Sequence, residues 1–176
     1  MNKRDIPLKN YFILGIIVIV TVILTFYLAS WYKTSKGYQM QNAVITNVLS
    51  AIRVEDIDNY LIDNPNIIIY IASSKDEKIK DFEKDFKKFI LKHEIIDEFV
   101  YLDTSTITND NDYQKIEKHF STTLAKITKK INNKTNLLIV RDGKVLDMMY
   151  KNETNIVINQ EDVIHFLKMY EVIEND

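Results

Sequence analysis

Hydrophobic positions fall in three rhythms along this chain, and each predicts a different kind of element. The first is an unbroken run. From Tyr11 to Tyr32 there is no formal charge, and the centre, Phe12–Leu28, reads FILGIIVIVTVILTFYL. At about 1.5 Å rise per residue a helix over this run spans roughly 33 Å, enough for the ~30 Å hydrocarbon layer of a bilayer. Thr21 and Thr25 can return their hydroxyls to the preceding helical turn, so they cost little there. Tyr11 at one end and Trp31 and Tyr32 at the other are amphipathic aromatics suited to the two interfaces. A cleaved signal peptide would show a shorter apolar region, roughly 7–15 residues, and a small-x-small site. Leu28-Ala29-Ser30 followed by Trp31 is a poor one. A buried helix of a soluble core would keep a polar stripe, and this run has none. The expectation is an uncleaved transmembrane helix at 11–32, preceded by a tail at 1–10 and followed by a polar tether at 33–42 (KTSKGYQMQN). Lys3, Arg4, Lys9 and the amino terminus precede the helix. Lys33 and Lys36 follow it, with no further basic residue before Arg53. The excess favours a single-pass protein of the cell membrane with its N-terminus inside and the remainder outside.

The other two rhythms alternate through residues 43–176. Val44–Ile52 reads as an edge strand, or as an amphipathic helix presenting Ile45, Val48, Leu49 and Ile52; the pattern leaves both open. Val54–Leu61 reads as a short helix, stopped by Asn64-Pro65. Asn66–Ala72 (NIIIYIA) is a continuous apolar run, expected of a central strand covered on both faces. Ile79, Phe82, Phe86, Phe89 and Ile90 then mark one face of a helix from Asp76 to His93, with Lys, Glu and Asp on its solvated sides. Glu98–Leu102 is a second strand. A polar loop at Asp103–Asp112 leads to a helix that Asn111 and Gln114 would open as a capping box, with Tyr113, Ile116, Phe120, Leu124, Ile127 and Ile131 inward. Leu137–Val140 and Lys144–Tyr150 flank Asp142-Gly143, a strong hairpin turn. Asn155–Ile158 suggests a further short strand. Asn159 would cap a last helix carrying Val163, Ile164, Leu167, Tyr170 and Ile173 inward. Strands that alternate with helices need parallel crossovers, and the terminal hairpin is antiparallel, so the expected class is α/β with a mixed sheet between helices.

Composition narrows the chemistry. The net charge is −2, which gives no general attraction to nucleic acid, and no basic patch interleaves with aromatics. Only 3 glycines occur, too few for a phosphate-cradling loop. There are no cysteines, which removes disulfides, thiolate nucleophiles and thiolate-held metals together.

The order of elements from 44 to 176 resembles that of the thioredoxin family. Asn66–His93 looks like its central strand, active-site turn and long helix, and LLIVRDGKVLDMMY (Leu137–Tyr150) like its hairpin. The resemblance implies a thioredoxin-like mixed sheet sandwiched by helices. It also implies a site, and here the chain departs from the family. Thioredoxins carry Cys-x-x-Cys after the central strand, where this chain has Ser74 and Glu77. They carry a cis-proline before the hairpin strand, where it has Thr135. Disulfide exchange needs sulfur on both partners, so no redox role carries over. Anchor plus thioredoxin-like domain is also the plan of proteins similar to bacteriocin-transport accessory proteins.

Ser73, Ser74 and Asp76 stand at the strand-end position where open α/β sheets bind ligands, and at a helix start that favours anions. The same residues are ordinary helix caps, and no GxSxG or local base accompanies them. His93, His119 and His165 have no metal-ligand spacing. Asp103, Asp110 and Asp112 lack the rest of a calcium loop. Phe82, Phe86 and Phe89 read as core. No catalytic, cofactor or metal residue is expected. The reading is a redox-inactive binding module that contacts lipid through its helix and holds a partner protein or peptide at the membrane surface, possible settings being an envelope or export assembly. Its hairpin edge is a candidate for accepting an extended peptide. The alternative is an enzyme using the Ser73/Ser74/Asp76 turn.

Overall fold

The computed structural model describes residues 8–41, 43–75, 77–105, 107, 109–127, 131, 135–150 and 158–174. The chain divides into two compact units, Met1–Tyr38 and Gln39–Asp176.

The first unit is helical. Helix α1 runs Leu8–Gln41, and its stretch Lys9–Tyr32 is long and apolar enough to cross a membrane. The apolar side chains along it, from Phe12 to Leu28, are exposed, as a lipid-facing helix requires. Thr21 Oγ1 donates to Ile17 O at 2.8 Å and Thr25 Oγ1 to Thr21 O at 2.9 Å, so both hydroxyls bond within the helix as expected. The polar segment expected as a tether is helical through Gln41; Asn42 lies outside the described residues.

The second unit contains a five-stranded sheet: β1 (Ala51–Ile52), β2 (Ile67–Ala72), β3 (Phe99–Asp103), β4 (Asn136–Arg141) and β5 (Lys144–Tyr150). The order is β1-β3-β2-β4-β5. β1 and β2 lie parallel to β3, while β4 is antiparallel to both β2 and β5. This is the mixed sheet between helices that the alternation of strands and helices predicts. β2, the unbroken apolar run, is central, and all six of its residues are buried. The helices are α2 (Ile57–Asp63), α3 (Glu77–Lys92), α4 (Asp110–Glu117), α5 (Thr122–Ile127) and α6 (Gln160–Met169).

Local chemistry sets most of the boundaries. Asp142 and Gly143 have φ of 51° and 70°, the left-handed pair that a tight hairpin demands. The turn is tied down: Asp142 N–H donates to Asn66 Oδ1 and Gly143 N–H to Pro65 O. Asn159 caps α6 by accepting from Asp162 N–H at 2.7 Å.

Three expectations need correction. Val44–Ile52 is neither one strand nor one helix, but a 3-10 turn at Val44–Asn47 followed by the two-residue β1. The cap of α4 is Asn109, not Asn111; Asn109 Oδ1 accepts from Asp112 N–H. The long helix expected from there breaks into α4 and α5, because residues 119–121 bond to the sheet edge instead. Val145 N–H donates to His119 O and Ser121 N–H to Val145 O, each at 2.8 Å, and Ser121 Oγ then accepts from Leu124 N–H near the start of α5. The apolar stripe survives the break, with Tyr113, Ile116 and Leu124 buried on one side of the sheet. The further strand expected at Asn155–Ile158 falls outside the described residues except for Ile158, which is buried but not in a strand.

Helices α3 and α6 pack on one face of the sheet, over Ile68, Tyr70, Phe99, Tyr101, Leu137 and Ile139. Helices α2, α4 and α5 pack on the other, over Ile67, Ile69, Ile71, Val100, Leu102, Leu138 and Val140. The alternation of neighbouring residues between the two sets is the period of two that a strand imposes.

Candidate functional site at the strand ends

The C-terminal ends of β2 and β3 lie side by side, with Ala72 opposite Asp103. Ser73 and Ser74 leave β2 there, and α3 begins at Glu77. Asp103 closes this end. Its carboxylate accepts four hydrogen bonds: from Ser74 N–H (3.2 Å), Ser74 Oγ (2.9 Å), Ser105 N–H (2.8 Å) and Ser105 Oγ (2.9 Å). Lys75 adds an outer strap, its Nζ donating to Ser105 O at 2.9 Å. Ser74 is only 4% exposed and Asp103 only 2%. The serine at the expected site is thus a buried, double-bonded staple between two loops, and its hydroxyl points its proton at a carboxylate. Asp103, which pattern placed at the start of a solvated loop, is the last residue of β3.

Thr135 lies at the same end of the sheet, just before β4, where Asn136 pairs with Ile71. It is buried, and its Oγ1 has no hydrogen-bond partner among the described residues. The structure places Ser74, just after β2, and Thr135, just before β4, at one end of the sheet on neighbouring strands. Glu77 opens α3. Asp76 lies outside the described residues, so the Ser73/Ser74/Asp76 turn is only partly described; Ser73 is half-buried.

Beneath this end, on the α3 side, runs a buried polar row that pattern reading missed. Glu83 of α3 is fully buried. Its Oε2 accepts from Val44 N–H at 2.9 Å and Ile45 N–H at 3.3 Å, and its Oε1 from the Tyr70 hydroxyl at 3.4 Å. Burial lifts its carboxyl to about 7, against the pull of the two backbone donors, and the charge of Asp103 adds to the rise. Burial also raises both tyrosine hydroxyls, Tyr70 and Tyr101, above their ordinary range. Tyr101 donates to Ala72 O at 3.2 Å. A usable signal was present: Ile79, Glu83, Phe86 and Ile90 are spaced 4, 3 and 4, so Glu83 belongs to the inward stripe and not to the solvated side to which its charge assigned it.

The three histidines are separate. His119 Nε2 lies 2.7 Å from Asp58 Oδ1, and Lys118 Nζ bonds the other oxygen. The Lys118 hydrogen bond, then that of His119, holds the Asp58 carboxyl below its usual range. His93 packs on Phe89, ring centroids 4.4 Å apart, past the end of α3, and His165 is exposed on α6.

The two sheet edges differ from the open hairpin that strand addition would use. β1 has only two residues. On β5, Val145 N–H and C=O are bonded to residues 119 and 121, and Met148 N–H donates to the carboxylate of its neighbour Asp147 at 2.8 Å. Asp147 is held in turn by the Tyr170 hydroxyl at 2.6 Å, whose own ionisation is pushed up to about 12, by burial first and by Asp147 second. Short edges and capped amides are how sheets resist pairing with a further strand. A groove of about 420 Å³ between α3 and α6 stays open, with Phe89, Ile164 and Ile173 among its apolar lining and Lys88, Lys92 and His93 among its polar lining.

No protein-family model matches the sequence, and no curated protein matches it. Among solved structures the chain is similar to mitochondrial thioredoxin 3 from Saccharomyces cerevisiae in its oxidised form, with a TM-score of 0.38 and 14% identity over 60% of this chain and 85% of that chain.

Proposed function

We propose that the chain is a redox-inactive, thioredoxin-like binding module, anchored by α1 in the cell membrane with its N-terminus inside, which holds a partner protein or peptide at the outer membrane surface. The carrying observation is the strand-end turn. Where the fold would present reactive sulfur, this chain has Ser74, buried and bonded twice to Asp103, and it has no cysteine elsewhere. A staple of this kind organises a surface and offers no leaving group. The capped β5 edge disfavours strand addition as the mode of docking and leaves the helical faces, where the groove between α3 and α6 supplies both apolar and charged contacts. An envelope or export assembly is a suitable setting for such a module.

The test is photo-crosslinking of the full-length protein in native membranes, with probes at Lys92 and Gln160 in the groove, Lys75 at the strand ends and Leu146 on β5. A discrete adduct that survives the Ser73→Ala plus Ser74→Ala double variant supports the binding reading. Absence of any adduct, or a catalytic turnover that the double variant abolishes, overturns it. The second outcome would favour the enzyme alternative, in which Asp103 is the acceptor already bonded to the Ser74 hydroxyl. Protease accessibility of the C-terminal domain in intact cells tests the orientation.

A further inference from the structure

We propose that Glu83 is a proton-operated clasp: it fastens the first turn of the soluble domain, Val44–Asn47, to the sheet, and loss of its proton loosens that turn. The geometry is that of a fastening. One carboxyl oxygen takes the N–H groups of Val44 and Ile45, and the other takes the Tyr70 hydroxyl of β2. The turn has few other polar ties to the sheet among the described residues; Thr46 Oγ1 bonds back to Ala43 O, within the same segment. Its remaining hold is apolar, through Ala43, Ile45 and Leu49. In the chain this turn begins at Val44, and α1 ends at Gln41.

The surroundings decide which protonation state closes it. The three named donors to the carboxyl are neutral. Facing it from β2 is Tyr70, and from β3 come Tyr101 and the charged Asp103. The 44–47 segment contributes no titratable side chain. On α3 itself Lys80 and Lys87 are half-buried and Lys84 is exposed, flanking Glu83 at i−3, i+4 and i+1. Burial favours the neutral carboxyl, and Asp103 adds a like charge. The two amide donors and the Tyr70 hydroxyl favour the ionised form, but the cost of burial outweighs them. Opening the turn lets water reach the carboxylate, where it ionises in the ordinary range and gives one proton to solvent. Opening is therefore promoted as pH rises from the ordinary carboxyl value of 4.5 toward about 7, by up to about tenfold per pH unit, because one proton is released per opening; above about 7 the closed form has already lost that proton and the dependence levels off.

The experiment is amide hydrogen exchange on the full chain in phospholipid nanodiscs, followed between roughly pH 5 and 8 with intrinsic base catalysis factored out. Between roughly pH 5 and 7 the protection of the Val44 and Ile45 amides should fall by up to about tenfold per pH unit, and it should level off above about 7. In Glu83→Gln, which keeps an acceptor oxygen and cannot ionise, the protection of Val44 and Ile45 should be flat. A flat wild-type profile, or the same slope in both proteins, overturns the proposal. Carboxyl-carbon NMR of labelled wild-type protein serves if the glutamine variant does not fold. A Glu83 titration centred near pH 7 and moving with the Val44 and Ile45 amide shifts supports the clasp. A midpoint in the ordinary carboxylate range, or a titration without amide movement, overturns it.

Discussion

The two faces of the sheet are built from the same strands by opposite rules. Under α2, α4 and α5 the strands contribute Ile67, Ile69, Ile71, Val100, Leu102, Leu138 and Val140, an aliphatic layer with nothing to ionise. Under α3 and α6 the same strands contribute Tyr70, Tyr101 and Asp103 alongside the apolar residues, and α3 sets Glu83 among them. One face is stabilised by area removed from water, which is indifferent to pH. The other adds a row of hydrogen-bonded polar groups whose stability depends on every member keeping its partner. The polar row ends at the strand-end turn and at the first turn of the domain. Substitutions on the two faces should therefore differ in size and in kind.

The largest effect belongs to the aliphatic face. Ile69 is fully buried in the central strand, and Ile69→Ala leaves a cavity with neighbours on every side. It should cost about 4 kcal/mol, within the roughly 2–5 kcal/mol range for such truncations, with no pH dependence. Tyr101→Phe, on the other face, removes only the hydroxyl bonded to Ala72 O and should cost about 1 kcal/mol. Denaturant unfolding of both variants in detergent checks the contrast, and equal losses would break it.

Asp103 comes next. Asp103→Ala strands the hydroxyls of Ser74 and Ser105 and their two N–H groups together. Loss of hydrogen bonds to a buried charge predicts a cost of about 3 kcal/mol. Asp103→Asn should cost less, because its carbonyl can still take both N–H groups while the serine hydroxyls turn to accept from the amide. Unfolding midpoints that rank aspartate, asparagine and alanine in this order would sharpen the account; an alanine variant as stable as wild type would remove the staple from it.

These two regions also separate what pattern could reveal from what it could not. The aliphatic face is legible because a strand covered on both sides must be apolar throughout, so NIIIYIA identifies the centre of the sheet without help. The hairpin is legible because few residue pairs tolerate two successive left-handed conformations, and Asp142-Gly143 is one. Glu83 was hidden by its type: a charged residue inside an inward stripe is more often an exposed neighbour. Asp103 was hidden by its position, since a carboxylate between a strand and a serine-rich loop reads as solvated until the second loop, Ser73–Ser74, is folded against it. The break between α4 and α5 depends on β5 arriving beside residues 119–121, a contact with no local signal. The candidate site positions rest on analogy of element order, and what holds Ser74 in place had no signal in the pattern.

Glu83 makes the contrast dependent on pH. Its carboxyl titrates about 7 in the folded chain, above the ordinary 4.5. Between those values the folded protein binds more protons than the unfolded chain, so stability falls as pH rises through the window. The contribution is complete below the ordinary value and lost above about 7, at most about 3 kcal/mol in all, and less where opening of the first turn relieves the burial. Glu83→Gln should remove this slope and leave the variant relatively more stable at alkaline than at acidic pH. Unfolding free energies of both proteins at roughly pH 5 and pH 8.5 check the sign; a wild-type chain that gains stability across that interval relative to the variant would contradict it.

The smallest effect runs the other way. Thr135 is buried at the end of the polar face, and its hydroxyl has no partner among the described residues. Thr135→Val keeps the branched shape and removes a polar group that gains nothing from its burial, so the variant should be more stable by about 1 kcal/mol. The gain is diagnostic because the same substitution at a hydroxyl with a partner loses stability. If Thr135→Val unfolds more easily than wild type, that hydroxyl has a partner in solution, and the strand-end crevice is not the closed, self-satisfied surface on which the binding reading rests. If it is stabilised while crosslinking to the partner is unchanged, the crevice is scaffold, and docking belongs to another surface of the domain.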